Sequence, residues 1–104
     1  GMFSRAEQFN SDLSDWNVSN VQNMSWMFSK ASKFNGDIRR WNTSRVTCMS
    51  GMFSNAISFN QNLNEWDISN VVEMDRMFEN ARLFDRKNMK QWNLRHVVSK
   101  ENMF

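Results

Sequence analysis

A Met-Phe pair recurs at Met2-Phe3, Met27-Phe28, Met52-Phe53 and Met77-Phe78, a spacing of 25 residues. That period restricts the 104-residue chain to folds made by piling up one small unit. Ala6, Ala31, Ala56 and Ala81 align, as do Phe9, Phe34, Phe59 and Phe84, then Trp16, Trp41, Trp66 and Trp92, then Val21, Val46, Val71 and Val97. The units are 2–26, 27–51, 52–76 and 77–102, and Met103-Phe104 opens a fifth. Repeats this short bury an apolar face only against their neighbours, so residues 1–104 are read as one domain. Nine Phe, five Trp and nine Met supply the core. A buried aromatic ring removes about 150–250 Å² from water, so a few rings per unit are enough.

Within a unit two spacings alternate. Met24, Met27, Phe28, Ala31 and Phe34 fall on one helical stripe, repeated from Met49 to Phe59 and from Met74 to Phe84. Ser19-Asn20, Ser44 and Ser69-Asn70 precede these stripes as N-cap residues would, and Asn10, Asn35 and Asn60 follow them at the position where a left-handed residue ends a helix. Those three Asn also suit a ladder of hydrogen bonds to neighbouring units. Next, Trp16 and Val18, Trp41 and Thr43, and Trp66 and Ile68 stand two apart, as on one side of a strand, with Asn17, Asn42, Asp67 and Asn93 turned outward. The expected fold is an α/β repeat solenoid, leucine-rich-repeat-like, of four units that each hold a short parallel strand and a short helix. The fourth unit carries one extra residue between Phe84 and Trp92 and places His96 where Asn20 and Asn70 stand.

Charge is distributed by unit. Arg5 against Glu7, Asp12 and Asp15 gives −2, and Lys30, Lys33, Arg39, Arg40 and Arg45 against Asp37 give +4. Arg76 against Glu65, Asp67, Glu73 and Asp75 gives −3, and the last unit, with six bases and three acids, gives +3. Alternating sign predicts attraction between neighbours, as in the column Asp15, Arg40, Glu65, and leaves no continuous basic stripe for nucleic acid.

The pattern Met-Phe-Ser-x-Ala-x-x-Phe-Asn-x-x-Leu-x-x-Trp-Asn/Asp-Val-Ser-Asn-Val-x-x-Met, nearly whole in 2–26 and 52–76, resembles the 25-residue repeat of BspA-like leucine-rich repeat surface proteins, which also occurs in mycoplasma lipoproteins. The resemblance covers the chain and implies a leucine-rich-repeat-type fold, surface attachment or protein binding, and a cell-surface or secreted location. It brings no catalytic residues. The chain itself shows no signal peptide, lipid anchor or apolar run long enough to span a membrane.

No glycine-rich phosphate loop, metal-spaced His or Cys set, or nucleophile with a positioned base occurs, so neither catalysis nor a cofactor is expected. Cys48 aligns with polar positions and is read as a passive or chain-linking thiol, and His96 as a surface or capping residue. The expected function is a non-catalytic interaction module that binds another protein through its strand face. The contact residues are Asp15, Asn17, Arg40, Asn42, Glu65, Asp67, Gln91 and Asn93, joined by Trp26, whose counterparts Gly51, Arg76 and Asn102 impose no Trp there. The alternatives are a self-assembling structural unit, including a homodimer through the N-terminal unit with its interior-type Met2, Phe3, Phe9, Leu13 and Trp16, and, weakest, nucleic-acid binding through the basic second and fourth units.

Overall fold

Parallel contact between units runs through the segment that the sequence periodicity assigns to helices. In the computed structural model, which describes residues 2–8, 10 and 12–104, isolated parallel bridges join Asn23 to Cys48, Cys48 to Glu73 and Glu73 to Ser99. Around them alternate residues donate to the next unit. The N–H groups of Met24, Trp26, Phe28 and Lys30 reach the carbonyls of Cys48, Ser50, Met52 and Ser54 at 2.8–2.9 Å. Met49, Gly51, Phe53 and Asn55 do the same to Glu73, Asp75, Met77 and Glu79.

The intervening N–H groups close four-residue turns instead. Met27 donates to Met24 and Ala31 to Phe28, with equivalents at Met52, Ala56, Met77 and Ala81. Positive φ occurs at Trp26, Gly51, Arg76 and Asn102 and at Arg5, Lys30, Asn55 and Asn80. In the complete turns these are the third residues, the position that a type II turn needs left-handed. An α-helix cannot pass through such residues. The spacing of three that imitates a helical stripe is therefore the spacing of successive turns.

The α/β solenoid of strand–helix units is accordingly not formed, and the leucine-rich-repeat geometry goes with it. Among the described residues the regular structure is one 3₁₀ turn, Arg86–Met89, and no sheet. Ser19-Asn20, Ser44 and Ser69-Asn70 cap no helix, and Asn35 and Asn60 are not left-handed. The segment around each Trp is not a strand either, although Trp41 and Thr43 are buried with Asn42 exposed between them, and Trp66 and Ile68 with Asp67. The radius of gyration, 12.2 Å, fits a globule rather than an elongated array, being close to the roughly 13 Å of an ordinary domain of this length.

Register is set by the core. Phe3, Phe28, Phe53, Phe78 and Phe104 stack in one column with centroids 5.5–5.6 Å apart. Phe34, Phe59 and Phe84 form a second at 5.9–6.0 Å, and Trp41, Trp66 and Trp92 a third at 6.5 Å. Each ring pair contributes about 0.5–1.5 kcal/mol beyond its burial, and a slip of one residue would lose every pair at once. Charge plays a smaller part than the alternation suggested. Among the described residues the ion pair within 4 Å is local, Arg39 to Asp37 at 3.0 Å, and the column Asp15, Arg40, Glu65 forms none.

The Asn column does act as a ladder. Asn35, Asn60 and Asp85 donate their N–H groups to the side-chain oxygens of Asn10, Asn35 and Asn60 at 2.8–2.9 Å. Asp85 also caps Arg86–Met89, which accommodates the extra residue of the fourth unit and brings Met89 into the core. Of the first unit's interior-type residues, Leu13 is buried, Phe3 packs partly, and Trp16 is 46% and Met2 70% exposed. Phe9 lies outside the described residues.

Candidate functional site

Trp16, Trp41, Trp66 and Trp92 each donate the backbone N–H to the residue three before, so that Leu13–Trp16, Ile38–Trp41, Leu63–Trp66 and Met89–Trp92 are turns. The indole N–H groups of Trp41, Trp66 and Trp92 then reach back to the carbonyls of Leu13, Ile38 and Leu63 in the preceding unit at 3.0, 2.9 and 2.8 Å. With both ends of the turn anchored inward, the residue just before each Trp is exposed. Asp15, Arg40, Glu65 and Gln91 occupy that position.

Asn17, Asn42, Asp67 and Asn93, just after each Trp, are exposed as well, but their side-chain oxygens are engaged locally. They accept from the N–H groups of Ser19, Ser44, Ser69 and Arg95 at 2.9–3.0 Å. Asn17 and Asp67 further accept the Ser19 and Ser69 hydroxyls at 2.6 Å. The Ser69 hydroxyl, with its N–H, holds the Asp67 carboxyl below the usual carboxylate range. These four residues make the turns on which the outward row stands.

Two depressions bring parts of the row together, and Asp15, Asn17 and Asn42 line neither of them. One, of about 230 Å³, is lined by Arg39, Arg40, Asn62, Asn64 and Glu65. The Arg39 guanidinium holds Asp37 below its ordinary range and is itself raised by that pair. Arg40 and Glu65, by contrast, make no hydrogen bond or ion pair among the described residues. The second, of about 260 Å³, is lined by Trp66, Asp67, Ile68, Ser69, Gln91, Trp92, Asn93 and His96. The structure thus unites Arg40 with Glu65, and Asp67 with Gln91 and Asn93.

Trp26 belongs to another part of the surface. It is 40% exposed, with its indole over Gly51 in the column of left-handed residues. Arg39, Asn62, Asn64 and His96 are polar lining residues that sequence reasoning did not select. Of these His96 alone carried a signal, because it replaces Asn20 and Asn70, and its ring nitrogen lies 2.8 Å from the Ile68 carbonyl. Cys48 is half-buried beside Glu73, its sulfur 3.6 Å from a carboxylate oxygen. Among the described residues no three His, Cys, Asp or Glu side chains converge as metal ligands, and no helix is long and apolar enough to cross a membrane.

Repeated units with stacked aromatic columns and an exposed polar row define a repeat-built domain. The chain belongs to the family described as Mycoplasma protein of unknown function, DUF285, which matches residues 1–104. Nothing matches it among the curated proteins or among the solved structures.

Proposed function

We propose that the protein is a non-catalytic interaction module that binds another protein through the row Asp15, Arg40, Glu65, Gln91 and its neighbours Asn17, Asn42, Asp67 and Asn93. The observation that carries this reading is the contrast between fixed and varied positions. The large apolar residue and the Trp at the two ends of each turn scarcely change in character from unit to unit, whereas the exposed position before Trp is acidic, basic, acidic and then neutral. A merely solvated face gives no reason for unpaired Arg40 and Glu65 to share one depression beside an aromatic-edged one. The resemblance to BspA-like surface proteins supports attachment at a cell surface as the setting.

The test is capture of binding proteins from cell extracts by immobilised protein, compared between variants. Joint replacement of Arg40 and Asp67 by Ala removes the captured partner with the fold unchanged by circular dichroism, and joint replacement of Lys30 and Lys33 does not. The opposite pattern moves the site to the other side of the molecule.

A second reading, self-association through the first unit, is favoured by the exposure of Met2 and Trp16. Large apolar side chains grouped at a surface favour association. Light scattering decides this reading, and a monomer at every concentration removes it.

A further inference from the structure

We propose that the partner presents an extended segment lying along the row, with an acidic, a basic and an apolar side chain at successive alternate positions, set against Arg40, Glu65 and the depression edged by Trp66 and Trp92. This deepens the interaction reading and rests on it. The geometric support is a match of periods. In extended backbone, side chains on one face repeat at about 6.6 Å. The Trp column beside the row repeats at 6.5 Å from Trp41 to Trp66 and again from Trp66 to Trp92. Every second residue of an extended segment therefore meets the next unit, with little drift over two steps. The Phe columns, at 5.5–6.0 Å, run shorter than that repeat.

The chemistry follows the row. Arg40 and Glu65 line one depression and are free of any hydrogen bond or ion pair among the described residues, so each has its charge available for a partner. Arg39 lines the same depression, but its guanidinium is held on both Asp37 oxygens at 3.0 Å, and its attraction to Glu65 is Coulombic, without a direct contact. One unit further on, Trp66, Ile68 and Trp92 line an open space of about 260 Å³ together with polar residues that include Gln91 and His96. That space admits one apolar side chain. Asn42 and Asn93 are exposed and use only their side-chain oxygens in the turns, so their amide N–H groups can donate to the carbonyls of the extended segment. Opposite charges at defined spacing give such contacts orientation more than strength.

The test uses acetyl-Gly-Asp-Ser-Lys-Ser-Phe-Gly-amide and the same peptide with its order reversed, so that either chain direction is sampled, titrated against the full chain by NMR. One of the two binds and shifts the indole N–H signal of Trp92. Exchanging Asp and Lys in that peptide weakens binding about five- to ten-fold, the effect of two exposed charge pairs turned repulsive. The double variant R40E/E65R inverts the preference. The proposal is overturned if neither peptide binds, if exchanging the charges changes affinity less than about two-fold, or if the folded double variant keeps the original preference. The comparison of peptides on the unaltered chain stands even if a variant fails to fold. Loss of peptide binding with retained, Arg40- and Asp67-dependent capture of a protein removes this segment and leaves the broader reading. Loss of both removes both.

Discussion

The indole of Trp26 fills the space that a Cβ on Gly51 would occupy, one unit further along the same column. Both residues are left-handed, with φ of 59° and 64°. A side chain in that conformation costs about 1–2 kcal/mol where glycine costs little. The bulkiest residue of the column is thus accommodated by the smallest. Gly51→Ala should destabilise the chain by about 2–4 kcal/mol through strain and collision together. In a Trp26→Ala background the collision vanishes and about 1–2 kcal/mol remains. A double-mutant cycle by urea unfolding measures the coupling, and additive losses would show that the two residues do not share one space.

Trp41 and Trp26 are the same residue type in opposite circumstances. Trp41 is 5% exposed, stacks on Trp66 and donates its indole N–H to Leu13. Trp41→Ala should cost about 3–5 kcal/mol, against about 1 kcal/mol for Trp26→Ala. Equal falls in melting temperature would contradict the burial of the Trp column.

Much of the packing was legible because it depends only on period. The alignment of Phe28, Phe53 and Phe78, of Trp41, Trp66 and Trp92, and of the Asn ladder follows from identical residues 25 or 26 apart, whatever backbone joins them. The local backbone was misread because Met24, Met27 and Phe28 satisfy a helical stripe and a run of type II turns equally well. The discriminating signal lay in the columns Trp26, Gly51, Arg76, Asn102 and Arg5, Lys30, Asn55, Asn80. There Gly and Asn, the residues most tolerant of positive φ, stand among dissimilar ones, which marks a backbone requirement rather than a side-chain role. The outward row was legible from its varied charge. Its neighbours Asn62 and His96 were not, because their approach depends on how the turns fold back.

The ladder makes a local prediction. Asn35 accepts the Asn60 N–H at 2.8 Å and is exposed, so Asn35→Ala should cost about 0.5–1.5 kcal/mol. Asn35→Asp, which keeps the acceptor, should cost less. Amide hydrogen exchange at Asn60 should quicken in the Ala variant, while the Asn35 amide, which donates to Asn10, stays protected. Unchanged exchange at Asn60 would remove the ladder's energetic role.

Acid should loosen the contact between the third and fourth units. Both oxygens of Asp75 accept the Ser99 hydroxyl, at 2.6 and 2.7 Å, and one also accepts the Glu101 N–H at 2.7 Å. The Ser99 hydroxyl, then the Glu101 N–H, holds the Asp75 carboxyl below its ordinary value. A carboxyl depressed in the folded state stabilises fully above its unfolded pKa, and that stability is lost as pH falls through the lower, folded one. The melting temperature should therefore decline as pH drops below the ordinary carboxylate range. Asp12, Asp37 and Asp67, also depressed, contribute in the same direction. Asp75→Asn should lower stability at neutral pH and flatten this acid limb, because the amide cannot titrate. An acid limb of unchanged depth in that variant would assign the effect to the other three carboxylates.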